Sequence, residues 1–587
     1  MKILTDILEE RVSAALKTVC GQEFPAMVRA AADAKFGDYQ ANGIMAAAKT
    51  VKANPRQLAE QVVAAMDIGD MCKPPEVAGP GFINLRLKDS FLAERLLEMY
   101  RDAERLGVDK TDTPKTVVVD YSGPNIAKQM HVGHLRSTII GDCIARLYDF
   151  AGHTVIRQNH IGDWGTQFGM LIAFLKEQYP HILENPAAVH IADLESFYQN
   201  AKRKYDEDET FAQVARQEVV RLHNHNPDTL RVWRHIVDES RNHYLPIYHL
   251  LNITLTPEDE RGESFYADKL AGVVADLKTE SLAVESDGAV CVFPEGFKNK
   301  DGQPLPFIIQ KTDGAFLYAT TDLAALRFRL HELKAETIIY VTDARQAMHF
   351  QMLFAAAKMA GWVKDEITLE HVTFGTMLGE DGKPFKTRTG GTVKLKDLLD
   401  EAIERATAVV EEKNPELPAE QKAQIARAVG VGAVKYADYA NNRNSDFIFS
   451  FDKMLAMEGN TAPYMQYAYA RIKSIERKAV GKDVDVQKEL AGIAALPLTE
   501  PAETELARLL VRYDQAIAAA AAECRPNYLT GYLYDVAQAF SRFYSACPVL
   551  TAAPDSRPGR LLLCDLTART IRHGLSRLLG IEVVEQM

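Results

Sequence analysis

The run Thr116-Val117-Val118-Val119 limits the possible folds more than any other stretch of the chain. Four consecutive β-branched residues without alternation suit a strand buried on both faces, as in a parallel sheet. A loop containing Gly123 and Pro124 follows, then a helix from about His134 to Phe150, then a second strand over Thr154 to Gln158. That order begins a doubly wound, Rossmann-type α/β sheet, which binds ligands beyond the carboxyl ends of its strands. At the start of the helix stands His131-Val132-Gly133-His134. A helix N-terminus offers free N–H groups and the positive end of its dipole, which suits a nucleotide phosphate. Two imidazoles one turn apart add donors on the same side, and Gly133 leaves room for a flat base.

The α/β pattern resumes at Thr337-Ile338-Ile339-Tyr340-Val341, with a helix near Phe350 to Ala360 and a strand over His371 to Leu378. Between the two halves, residues 190–290 are charged, helical in their first part and free of nucleotide motifs, and read as an insertion. Upstream, Leu4, Leu8, Val12 and Leu16 mark a helix. A second helix is expected near Val28, a turn and strand over Val77 to Leu87, and a helix from Phe91 to Leu106. Beyond 395 the chain reads as almost all helix, with amphipathic segments near 421–440, 461–480, 503–523 and 528–545. The expected organisation is therefore an α+β domain over 1–112, a catalytic α/β domain over 113–395 and an all-α bundle over 396–587. At about 150 residues per domain, 587 residues suit four domains, or three with one large.

Composition decides a few further points. Lys and Arg total 68 against 80 Asp and Glu, a net charge of −12, so any nucleic acid must be held by a local basic patch. The seven cysteines form no CxxC pair, which argues for reduced thiols and against a zinc site. Acids at Asp6, Glu9 and Glu10 break any signal-peptide core, and Ala516 to Ala522 is too short to span a bilayer. The expectation is a cytoplasmic protein without a membrane segment, and a monomer, since no coiled coil or conspicuous apolar stripe is visible.

The run from Asp120 to Thr138, containing Ser122-Gly123-Pro124-Asn125-Ile126-Ala127-Lys128 and His131-Val132-Gly133-His134, resembles the active-site signature of arginyl-tRNA synthetases. The resemblance continues through His160-Ile161-Gly162-Asp163-Trp164-Gly165, through Asp313 to Ala324, and into a C-terminal run from Leu563 to Met587 similar to the family's anticodon-binding helices. It covers essentially the whole chain in order. It implies that arginine and ATP form arginyl-adenylate and pyrophosphate, and that arginine then moves to the 3′ end of its tRNA.

A guanidinium is best held by carboxylates, and Tyr318 and Asp322 stand one helical turn apart. The resemblance implies an arginine pocket of Asn125, Tyr318, Asp322 and Gln346, to which Asp120, Ser122 and His134 are added. Lys128, His131, Gly133 and His134 are expected at ATP, with the histidines as donors because the attacking carboxylate is already ionised. The usual class I lysine-rich loop is degenerate here. Phe385-Lys386-Thr387-Arg388 stands in its place, flanked by Asp381-Gly382 and Gly390-Gly391, which suits a mobile loop. The resemblance implies Lys128 as the substitute cation and leaves the assignment of phosphate charge among Lys128, Lys386 and Arg388 open. Magnesium is expected on the phosphates and no protein metal cluster is visible. For tRNA, the basic stretch Arg471, Lys473, Arg477, Lys478 and Lys482 and the aromatic Tyr464 and Tyr467 are candidates, and Tyr544 and Met587 match further family positions. A non-catalytic tRNA-binding paralogue would be expected to lose Lys128, the histidines or the pocket acids, and this chain keeps them.

Overall fold

The computed structural model describes residues 3–383, 385, 393–482, 484–493 and 495–587. Contacts divide the chain into two compact units. One comprises Met1–Thr111, Ala456–Leu578 and Glu582–Met587, and the other Asp112–Leu455 with Leu579–Ile581.

The first unit opens with a helix over Leu4–Cys20 that buries Leu4, Leu8, Val12 and Leu16. Beside it, β1 (Val28–Ala30), β2 (Tyr39–Ala41), β3 (Glu76–Ala78) and β4 (Phe82–Leu85) make an antiparallel sheet in the order β1-β2-β4-β3. The helix expected near Val28 is therefore a strand. The Glu9 carboxylate takes the N–H groups of Met27 (3.1 Å) and Val28 (2.7 Å), and Val28–Ala30 then pairs with β2. The C-terminal part of this unit is helical. The segment expected over 503–523 is two helices, Pro501–Leu510 and Tyr513–Ala522, separated at Arg512, whose guanidinium donates to Asp38 O at 2.9 Å.

The second unit is built on the four-stranded parallel sheet β11-β10-β5-β6, with β5 at Thr116–Asp120, β6 at Thr154–Gln158, β10 at Thr337–Asp343 and β11 at Thr368–Phe374. From β5 the chain winds one way to β6. From β10, beside β5, it winds the other way to β11, so the switch point lies between β5 and β10. Val117, Val118 and Val119 are fully buried, as their unbroken β-branched run requires. Before β10 come β7 (Ala283–Ser286), β8 (Ala289–Val292) and β9 (Phe307–Gln310), an antiparallel sheet sharing a core with Val118, Leu323, Ile338 and Leu353. The strand expected over His371 to Leu378 ends at Phe374. Gly375 N donates to Arg443 O at 2.9 Å, and the chain resumes as β12 (Met377–Leu378), parallel to β13 (Phe447–Ile448). Helices Leu395–Lys413 and Ala419–Tyr439 belong to this unit. Among the described residues no helix is long and apolar enough to cross a membrane. All seven cysteines are free, and all but Cys20 are buried.

Candidate active site

The loop leaving β5 is held in an unusual backbone path. Ser122, Gly123 and Ala127 have φ of 74°, 55° and 60°. Two non-glycine residues in the left-handed region cost energy that the surroundings must offset. The offset comes from the helix of the insertion over Pro227–Leu250. Its Ser240 Oγ accepts from Ala127 N at 3.0 Å, and its Tyr248 hydroxyl bonds Ser122 Oγ at 2.6 Å and accepts from Asn159 Nδ2 at 3.1 Å. Gly162 packs on the same loop, and a Cβ there would stand 2.7 Å from Asn125 Oδ1. The second signature run is thus a backing surface for the first.

The helix Val132–Phe150 starts at His131, and both histidines cap it. Gly133 N donates to His131 Nδ1 at 3.0 Å, and His131 N donates to His134 Nδ1 at 3.1 Å. The rings lie 4.0 Å apart, centroid to centroid. Burial lowers both imidazoles below the usual histidine range. His134 falls to about 3, with the charge of His131 as the second cause. A neutral imidazole that accepts at Nδ1 carries its proton on Nε2, so both rings are Nε2–H donors. Gly133 has a nearer reason to lack a side chain than a stacked base, since a Cβ would meet the His131 ring at 2.7 Å.

Across from the histidines lies a cavity of about 840 Å³ lined by Asn125, Lys128, His131, His134 and Lys394, with Glu195, Tyr198 and Lys202 on the opposite wall. Lys128 Nζ stands 4.4 Å from the centre of the Tyr198 ring. The segment around Lys394 is tied to the histidine run, with Val132 N donating to Val393 O (3.1 Å) and Leu395 N to Met130 O (2.9 Å). Phe385 packs on Phe449, with ring centres 5.1 Å apart. Lys386 and Arg388 lie outside the described residues.

A second group forms where the helices Tyr318–His331 and Ala347–Met359 begin. Tyr318, the first residue of its helix, is 66% exposed, and its ring lies 5.1 Å from that of His349. His349 Nε2 meets Asp322 Oδ2 at 2.6 Å. Gln346 is exposed one turn before His349, in the 3-10 turn that leaves β10. Glu263 belongs electrostatically to the same place. Burial, then Asp163, then Asp322 raise its carboxyl from 4.5 to about 7. A mostly buried acid pressed by two other acids is a ready partner for a cation.

Two expected pocket residues are otherwise engaged. The Ser122 hydroxyl is buried and bonded to Thr138 Oγ1 (2.8 Å) as well as Tyr248, so it braces the loop. Asp120 Oδ2 accepts from Arg329 Nη2 at 2.7 Å, and fully buried Arg329 also donates to Gln158 Oε1 at 2.6 Å. That pair fixes the Asp120 carboxylate at the end of β5 and spends one of its oxygens.

The sequence reading passed over Glu263, His349, Tyr198 and Lys394. His349 had a signal, one helical turn after Gln346. The others are brought in only by tertiary contacts.

In the other unit, Tyr464 and Tyr467 lie on the helix Ala462–Val480, with Tyr467 41% exposed. Tyr464 meets the Tyr534 ring edge-on at 5.7 Å. The Arg471 guanidinium lies 4.7 Å from the Tyr544 ring centre, and Lys473 pairs with Glu476 at 2.8 Å. The terminal segment runs beside this helix in the same direction, with Gln466 Nε2 donating to Glu582 O (2.7 Å) and Arg477 Nη1 to Glu585 O (3.0 Å), and ends at half-buried Met587.

Comparison with known proteins agrees over the full length. The family model described as tRNA synthetases class I (R), catalytic domain, matches residues 98–451, the DALR anticodon binding domain matches 465–587, and the arginyl tRNA synthetase N terminal domain matches 6–87. The arginine–tRNA ligase of Cellvibrio japonicus (strain Ueda107) is 53% identical over 588 residues, covering 100% of both chains. The crystal structure of arginyl-tRNA synthetase from Plasmodium falciparum superposes with a TM-score of 0.84 at 30% identity, covering 100% of each chain. That of the Thermus thermophilus enzyme superposes with a TM-score of 0.79 at 26% identity, again over 100% of each. With a catalytic model over more than half its length and a relative this similar from end to end, the chain belongs to the arginyl-tRNA synthetases, the class I arginine–tRNA ligases.

Proposed function

We propose that this site activates L-arginine with ATP and hands the arginyl group to the 3′ end of its tRNA, with the residues in the following roles. The guanidinium enters the acidic group of Asp322, Glu263 and Tyr318, where bidentate geometry favours arginine over lysine. Asn125 and Gln346 hold the amino-acid end, and Asp120 borders it. The arginine carboxylate oxygen attacks the α-phosphorus. The new O–P bond forms as the bond to the leaving pyrophosphate breaks, and the pyrophosphate carries away the electron pair. No base is needed, because the nucleophile is already an anion. The Nε2–H groups of His131 and His134 and the Lys128 ammonium stabilise charge building on the phosphate oxygens. Lys386 and Arg388 are candidates for the same work. Magnesium would be held by the ATP phosphates, where it would offset part of their charge. The exposed Tyr467, with Tyr464, Tyr544 and Met587, offers surface for anticodon bases. On this reading the enzyme is a cytoplasmic monomer.

The observation that carries the reading is the pair of neutral histidines, fixed as Nε2–H donors at a helix start beside a cavity. The test is arginine-dependent exchange of pyrophosphate into ATP, run with arginine, lysine or citrulline, with and without tRNA. Exchange with arginine alone is expected. Exchange with citrulline, which is neutral, would sink the acidic-pocket assignment. No exchange in any condition by a folded protein that still binds tRNA would mark a non-catalytic paralogue.

A further inference from the structure

The insertion helix Leu194–Glu207 has two distinct faces. Leu194, Phe197 and Ala201 are buried and hold it to the protein. Glu195, Tyr198 and Lys202, at the same helical spacing on another face, line the cavity opposite His131 and His134. Tyr198 is only half-buried, so its ring is not part of the core that keeps the helix in place.

The ring has a specific neighbour. Lys128 Nζ lies 4.4 Å from its centre, within range of a cation–π contact. Lys128 extends from a loop whose backbone is fixed by Ser240, but its own stem has four rotatable bonds. Lys202, Arg203 and Lys394 line the same cavity, and so do Glu195, Asp206 and Glu207, with Lys202 paired to Asp206 at 2.5 Å, so the cavity offers the Lys128 ammonium carboxylates as alternative partners to a phosphate. Without the ring, the ammonium would be shared among those carboxylates and water, away from the phosphates. An ammonium on the face of an aromatic ring is held on one side only. Its remaining N–H donors stay directed away from the ring, and its charge is not neutralised as a carboxylate would neutralise it.

We propose that Tyr198 is a positioning residue for arginine activation, acting through Lys128 by seating its ammonium at the phosphate side of the cavity. The inference rests on the phosphate role of Lys128. The insertion then supplies part of the activation machinery in addition to bracing the signature loop.

The experiment is steady-state pyrophosphate exchange with the full-length enzyme at saturating tRNA, comparing Tyr198→Leu, Tyr198→Phe, Lys128→Ala and the Lys128→Ala/Tyr198→Leu double variant. Tyr198→Leu is expected to lower kcat about fivefold, the size of a partly exposed cation–π contact, with the KM for arginine unchanged. Tyr198→Phe, which keeps the ring, restores most of the rate. In the Lys128→Ala background, Tyr198→Leu costs nothing further, which a merely structural role would not produce. A full fivefold loss in that background would overturn the inference while leaving Lys128 in place. So would a rise in the KM for tRNA at unchanged kcat, read from the same exchange over a tRNA concentration series, which would make Tyr198 a tRNA contact. A silent Lys128→Ala would overturn the role of Lys128, and this inference with it.

Discussion

Glu263 shows how much a single side chain can owe to its surroundings. Its carboxyl is raised from 4.5 to about 7, first by burial and then by the charges of Asp163 and Asp322. Between those two values an unfolded chain carries Glu263 ionised while the folded chain keeps it protonated. Its contribution to stability is therefore fully present below about 4.5 and is lost as pH rises through about 7. A bound guanidinium favours the carboxylate, so arginine binding should release a proton in this window and tighten as pH rises toward 7. Calorimetric titration in two buffers of different ionisation heat measures that proton directly. Glu263→Gln should abolish the release and weaken arginine roughly tenfold or more, since a charge-assisted bond is lost. Proton release that survives the substitution would place the titrating group elsewhere. Sequence reading missed this residue because nothing near it in the chain announces the acids that perturb it.

Between elements, Arg136 is the contact that matters most for the site. It stands in the signature run, two residues after His134, yet it is buried and faces away from the cavity. Its Nε donates to Asp438 at 2.7 Å and its Nη1 to Gly375 O at 2.6 Å. It thus ties the helix Val132–Phe150 to the helix Ala419–Tyr439 and to the chain just before β12. Residues 393–395 pair with the histidine run, so both flanks of the 379–392 segment are anchored on the signature helix or the residues leading into it. Arg136→Met should destabilise the protein by about 3–5 kcal/mol, because Asp438 is left buried without its partner. Urea unfolding followed by a probe in the second unit measures this. An unchanged midpoint would show that the pair is not holding the elements together. The helix expected near Val28 failed at this scale too. Three residues carry too little periodicity to outweigh a side chain from Glu9 and a neighbouring strand.

For the molecule as a whole, a net charge of −12 means that tRNA must be recognised by local surfaces, not by bulk attraction. On the helix Ala462–Val480, Lys473 is paired with Glu476, whereas Arg471 on the Tyr544 ring and Arg477 on the backbone Glu585 O keep their charge. Stacking on the exposed Tyr467 should therefore add to a modest local positive charge. Tyr467→Ala is expected to raise the KM for tRNA roughly tenfold, the worth of one stacked base, with the KM for arginine unchanged. Aminoacylation measured over a tRNA series decides it. A shift in the arginine KM instead would mean that the substitution had disturbed the catalytic unit.

The sequence by itself determined what is local. The unbroken β-branched run forced a buried strand, and strand, loop and helix in succession forced the winding of the sheet. The histidine run placed donors at a helix start because a helix N-terminus is defined by its own first residues. Tyr318 and Asp322 stand one turn apart on one helix, and each meets His349. The tertiary structure decided everything that depends on which distant groups meet. Ser122 faces inward because Tyr248 reaches it from the insertion. One oxygen of Asp120 is taken by an arginine on another helix. Glu263 becomes a weak acid only when the fold packs it beside Asp163 and Asp322. Spacing along the chain fixes geometry over one turn or one strand, whereas burial and charge depend on neighbours that only folding brings together.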